Sequence, residues 1–169
     1  ISDATAFDGS VQAAMRVDRH SERTMVEMRL RGSHIDMGAL ARTMQVHQLV
    51  PITRADFAVS LKGSGEEMAD VLRTAGGTFS ASFGQGAMAG VDLSRFTERA
   101  RPSEFFSLSE VGTGSLAFDG IDVKASIMDG IARVDDATVR LGSGQIRLRG
   151  IVPLPGRGLA LAGTLAGKG

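Results

Sequence analysis

The sequence predicts an α+β fold, mainly antiparallel β, with a curved, groove-like sheet and about three short amphipathic helices. Three observations carry that reading. Apolar and polar residues alternate with period two along much of the chain. Asp-Gly and Gly-rich pairs punctuate the alternating runs at hairpin spacing. Helical spacing of apolar residues occurs in only three short stretches.

The strands are taken in order. Val26, Met28 and Leu30 alternate with Glu27, Arg29 and Arg31, and Phe57, Val59 and Leu61 alternate with Ala58, Ser60 and Lys62. Phe79, Ala81 and Phe83 stand against Ser80 and Ser82, and Val123, Ala125 and Ile127 against Asp122, Lys124 and Ser126. Val139 and Leu141, then Ile146 and Leu148, close the series. Side chains on a strand point alternately to its two faces, so each run implies one greasy and one wet face. Asp8-Gly9, Asp119-Gly120, Asp129-Gly130 and Gly142-Ser143-Gly144 supply residues that tolerate positive φ, which predicts hairpins at those points.

Helical spacing breaks in at Met37/Leu40/Ala41/Met44, at Met68/Val71/Leu72/Ala75 and at Leu93/Phe96/Ala100. Asp36 and Asp92 occupy N-cap positions, and Gly76-Gly77 stands where the second helix gives way to a strand. These helices are expected to cover the sheet. A tripeptide recurs at strand ends: Leu30-Arg31-Gly32, Leu61-Lys62-Gly63 and Leu148-Arg149-Gly150.

Composition bounds the function. The chain has 169 residues, suited to a single domain over 1–169, with 43% apolar content, enough for a core or an apolar channel. Nineteen basic and nineteen acidic residues leave no net charge, so no global field draws it to nucleic acid. Trp and Tyr are absent, and the Phe residues are spread among strands rather than set on a basic face, which argues against a base-stacking platform. No cysteine is present, so disulfides, thiol nucleophiles and thiolate metal sites are excluded. No apolar run reaches the length of a membrane span, roughly 20 residues, and any anchor is expected only in a parent protein outside this fragment. After Asp136 all charged residues are basic: Arg140, Arg147, Arg149, Arg157 and Lys168.

Catalytic and metal signatures are not found. His20, His34 and His47 have no metal-ligand spacing. Gly84-Gln85-Gly86-Ala87-Met88-Ala89-Gly90 has neither the spacing of a dinucleotide loop nor a Walker lysine, and reads as a glycine-rich hairpin turn. Glu66-Glu67 fit a first helical turn, where acids favour the helix dipole, and Asp135-Asp136 point to opposite faces of a strand. Gly112-Thr113-Gly114-Ser115 has the wrong order for a nucleophile elbow. No enzyme activity, cofactor or metal is expected.

From Phe57 to Leu165 the order of parts resembles the C-terminal region of AsmA-like proteins, a Gram-negative envelope family. The parts are Leu61-Lys62-Gly63-Ser64-Gly65 before helix Met68 to Leu72, then Gly77-Thr78-Phe79, and Gly86-Ala87-Met88-Ala89-Gly90-Val91-Asp92-Leu93. Phe106-Ser107-Leu108, Met128-Asp129-Gly130-Ile131-Ala132 and Ile146-Arg147-Leu148-Arg149-Gly150 follow. Residues 1–55 read as a preceding hairpin and helix and 56–169 as the C-terminal unit; the region around Asp119-Gly120 and Pro153-Leu154-Pro155 depart from the family pattern.

The resemblance implies a periplasmic part of an inner-membrane-anchored protein that serves outer-membrane biogenesis, with phospholipid or another envelope lipid, and envelope proteins, as partners. On that footing Val123, Ile127, Val139, Leu141, Ile146 and Leu148 are the candidates to line a lipid groove, and Arg140 and Arg147 the candidates to contact anionic headgroups. If Leu141 pairs with Ile146, Arg140 faces Arg147. The alternatives are a structural or protein-interaction module assisting outer-membrane protein assembly, and an apolar face that packs on the helices as an ordinary core.

Overall fold

The computed structural model describes residues 2–20, 22–43, 45, 50–90, 114–153 and 160–167. In chain order these form β1 (Ser2–Ala6), β2 (Gly9–His20), β3 (Arg23–Asp36), α1 (Met37–Thr43), β4 (Val50–Ile52), β5 (Arg54–Gly65), α2 (Met68–Arg73), β6 (Gly76–Phe83), β7 (Gly86–Ala89), β8 (Ser115–Phe118), β9 (Gly120–Met128), β10 (Ile131–Leu141), β11 (Gly144–Pro153) and β12 (Ala160–Gly167). The chain is mostly antiparallel β, as the alternation predicts. Nine strands make one open sheet in the order β1-β2-β3-β5-β6-β9-β10-β11-β12, and β4-β7-β8 make a second.

The two sheets are not independent. Only Thr53 separates β4 from β5, only Gly84-Gln85 separate β6 from β7, and only Asp119 separates β8 from β9. The small sheet therefore continues three central strands of the large one, in the same lateral order, beyond a line of bends. The Thr53 hydroxyl holds that line together, lying 3.0 and 2.9 Å from the carbonyl oxygens of Gly84 and Gln85. The Gly84 N–H donates to Arg54 O (2.9 Å) and the Asp119 N–H to Arg140 O (2.8 Å). Gly84–Gly90 and Asp119-Gly120 are thus not hairpin turns, contrary to expectation. Glycine serves there to bend a strand from one sheet into the next, and a Cβ on Gly86 would collide with the Ile52 carbonyl.

True hairpins lie elsewhere. Asp129 and Gly130 take φ of 50° and 71° between β9 and β10, the geometry of a two-residue primed turn. Between β1 and β2 the positive-φ residues are Phe7 (52°) and Asp8 (58°), one position earlier than Asp8-Gly9 suggests. Gly9 instead opens β2, pressed against the backbone of Ser33 and His34, which a side chain would not allow. Between β10 and β11 the loop is Gly142-Ser143, so Leu141 pairs with Gly144, Val139 with Ile146 and Ala137 with Leu148. The expected pairings of Leu141 with Ile146 and Val139 with Leu148 are displaced by two residues. Because side chains alternate with period two, that slip leaves each of them on the same face.

Both described helices fill connections between strands. Asp36 caps α1, accepting the Ala39 N–H at 2.9 Å, and that bond holds its carboxyl below the usual range. In α2 the Asp70 carboxylate accepts the Glu67 N–H (3.3 Å) at the N-terminus. Val71 and Ala75 are buried, whereas Leu72 is 36% exposed. The covering residue of α2 is therefore Val71. It lies so close to β5 that a Cβ on Gly63 would strike its carbonyl oxygen, while the Phe57 ring occupies the equivalent space at Gly32. Two copies of the recurring tripeptide thus end in glycine because something packs directly on the strand. The third helical stretch (Leu93, Phe96, Ala100, with Asp92), Met44 and His47 lie outside the described residues.

Gly63→Ala is expected to destabilise the domain by about 1–3 kcal/mol through overpacking. Gly142→Ala, which meets nothing within 4 Å, is expected to change stability by no more than about 0.5 kcal/mol. Urea unfolding of the two variants checks the contrast.

Candidate functional site

The register shows how the alternating runs add up. Ala4, Val11, Gly32, Phe57, Ala81, Val123, Ala137 and Leu148 stand opposite one another across eight neighbouring strands. A second row runs Met15, Met28, Leu61, Gly77, Ile127 and Ala132. Rows two residues apart share a face, so the large sheet has one face that is apolar from strand to strand. The intervening rows carry the charges, for example Gln12, Arg31, Ala58, Ser80, Lys124 and Asp136. Among the described residues no polar or charged side chain is buried.

The six groove candidates all lie on the apolar face, at its β9–β11 end. There the small sheet covers all of them but Ile127. Phe118 (2% exposed), Ile121, Leu141 and Ile146 (4%) form a buried cluster, with Phe83, Met88, Leu116, Val123, Val139 and Leu148 packed around it. Ile127, farther along β9, is also buried. The bends along Thr53, Gly84-Gln85 and Asp119 place Met88, Leu116 and Phe118 on this part of the face.

At the other end the same face is more open. Met15 is 69% and Val17 51% exposed, and Val11, Ala13, Val26, Met28 and Leu30 are half-buried. The β2 residues did not figure among the candidates. Their signal was present in the sequence, since Val11, Ala13, Met15 and Val17 alternate with Gln12, Ala14, Arg16 and Asp18. Ala13-Ala14 blurs the alternation, and only the pairing with β3 shows which alanine lies on which face.

Arg140 and Arg147 project from the opposite, polar face. They are diagonal rather than directly opposed: Arg140 pairs in register with Gln145 and Arg147 with Thr138. The like-charge opposition expected from the sequence is absent because the loop has two residues rather than four. Arg140 instead forms an ion pair with Asp122, its guanidinium lying across Gly120. Asp122 also accepts the Ser82 hydroxyl at 2.7 Å. The Arg140 hydrogen bond first, and Ser82 second, hold the Asp122 carboxyl below its ordinary range.

His34 takes a φ of 57° and its Nδ1 lies 3.8 Å from an Asp56 oxygen; His20 ends β2 in solvent. Among the described residues no three His, Asp or Glu side chains gather at metal-binding distance. No described helix is long and apolar enough to cross a membrane. Searches of protein-family models, curated proteins and solved structures find no match to this chain.

Two outcomes follow from this geometry. Ile146→Ala is expected to cost ~2–5 kcal/mol, as for large-to-small changes in a packed core, and Met15→Ala no more than about 0.5 kcal/mol, both read from denaturant unfolding. For Asp122 the folded pKa lies below the ordinary value of 3.8. Its contribution to stability is complete above that value and lost as pH falls through the lower, folded one. The stability difference between the wild type and Asp122→Asn is therefore expected to persist at neutral pH and to close below about pH 4, measured by unfolding across an acid series.

Proposed function

We propose that this chain is a noncatalytic lipid-handling module of the periplasm, part of an inner-membrane-anchored AsmA-like protein in outer-membrane biogenesis. The observation that carries this reading is the apolar face shared by β2, β3, β5, β6, β9, β10 and β11, with Met15 and Val17 exposed at its β2 end. A solvated protein pays to keep such a strip in water, and acyl chains laid along it remove that cost while the polar face stays wet. Curvature of the sheet into a trough belongs to the same proposal, as does the resemblance of the Phe57 to Leu165 motif order to AsmA-like proteins.

On this reading the open β2–β3 end receives acyl chains, and Val123, Val139, Leu141, Ile146 and Leu148 continue the greasy surface where the small sheet overlies it, with Ile127 farther along β9. Headgroup contacts by Arg140 and Arg147 would be made from the polar face. Arg147 is exposed, whereas Arg140 is engaged by Asp122.

A second reading has its own support. The small sheet closes over the β9–β11 end as an ordinary core would, which suits a structural or protein-interaction module assisting outer-membrane protein assembly.

Lipid extraction of the purified domain followed by mass spectrometry separates the two. Phospholipid is expected to co-purify, and Met15→Glu with Val17→Glu is expected to give folded protein that retains none, because both sites are open to water. A photoreactive residue at Met15 that captures only protein in cells, and no lipid, overturns the lipid reading in favour of the scaffold.

A further inference from the structure

The polar face holds a second feature that the lipid reading does not use. A shallow depression of about 480 Å³ crosses β2, β3, β5 and β6. Its floor is low because Ala14 and Ala58 lie among longer side chains. Arg31 stands between Gln12 and Ala58, and Arg29 between Ala14 and Ser60, with Thr78 and Ser80 completing the rim on β6. The two arginines are two residues apart on one strand, which puts their Cα atoms about 7 Å from each other with side chains on the same face.

The charge around them is unbalanced. Glu27, two residues from Arg29, is drawn to Lys62 at 2.8 Å, and the Lys62 hydrogen bond holds its carboxyl below the usual range. Asp122 is taken by Arg140 and Ser82, Asp18 by Arg16, and Asp56 accepts the His34 N–H at 2.7 Å. Glu27, Asp122, Asp18 and Asp56 thus each have a hydrogen-bonding partner other than Arg29 and Arg31. Among the described residues no carboxylate lies within ion-pair distance of Arg29 or Arg31.

We infer that Arg29 and Arg31, with the hydroxyls of Ser60, Thr78 and Ser80 and the amide of Gln12, bind a phosphate-type oxyanion. Paired guanidinium forks match the tetrahedral oxygens of a phosphate, and neutral hydroxyl and amide donors satisfy the remaining lone pairs without adding competing negative charge. The ligand is a phosphate ester, either free in solution or presented as a phospholipid headgroup. This inference does not depend on the apolar face, which lies on the other side of the sheet.

The test is titration of the domain with inorganic phosphate, then with glycerol 3-phosphate, following backbone amide shifts by NMR. Saturable shifts confined to the depression are expected. Arg29→Gln with Arg31→Gln is expected to weaken phosphate binding by roughly tenfold or more, as for loss of charge-assisted hydrogen bonds. Arg19→Gln with Arg133→Gln removes the same charge from exposed positions outside the depression and is expected to leave binding unchanged. Sedimentation with phosphatidylcholine vesicles, with and without phosphatidylglycerol, assigns the source. Pelleting that needs the anionic lipid and both Arg29 and Arg31 identifies a headgroup, and phosphate binding without pelleting identifies a soluble ester. Absence of saturable binding in the wild type, or equal weakening by the two double variants despite unchanged thermal unfolding, overturns the site.

Discussion

The architecture depends on the line where three central strands bend at Thr53, Gly84-Gln85 and Asp119. A strand carries its hydrogen-bonding edges with it, so neighbours that bend together can stay paired beyond the bend. Strands β4, β7 and β8 accordingly keep the lateral order of β5, β6 and β9. The Thr53 hydroxyl and the Gly84 and Asp119 amides answer backbone groups that the bend would otherwise leave without partners. Small residues at the corner make the approach sterically possible, Gly86 against Ile52 above all.

From that line follows the division of the apolar face. A nine-stranded sheet with one greasy side must cover it or bear the cost of exposing it. Here the small sheet covers the β9–β11 end with Phe118, Met88 and Leu116, and α2 covers the end of β5 through Val71. The β2 strand has no such lid over Met15 and Val17 among the described residues. The same alternating pattern thus produces a packed core at one end and an accessible strip at the other. The lipid proposal rests on the second, and the scaffold alternative on the first.

The polar face is organised by pairing of charges across strands. Lys62 with Glu27 and Arg140 with Asp122 join side chains on different strands, on a surface where exposed pairs contribute little to stability but set the local field. They engage Glu27 and Asp122, while the register sets Arg29 and Arg31 beside small and polar residues. A depression on a sheet surface needs low side chains at its centre, and the alternation places Ala14 and Ala58 there.

Much of the fold was legible because period-two alternation is a local property. It marked most of the long strands and the face to which Val139, Leu141, Ile146 and Leu148 belong, and Asp36 announced the start of α1. The face survived even the two-residue error in the β10–β11 register, because a slip by two preserves parity. What alternation does not contain is the destination of each strand. Asp-Gly at 119–120 and the glycines at 84 and 86 look alike whether they reverse a chain into a hairpin or bend it into another sheet, since both need residues without bulk. The fate of a charged residue was equally hidden. Arg140 meets Asp122 rather than Arg147 because β9 lies beside β10, a contact between residues far apart in the chain. The sequence by itself determined which side of each strand is greasy; only the tertiary structure decided which greasy residues are covered, because cover comes from segments whose approach no local pattern encodes.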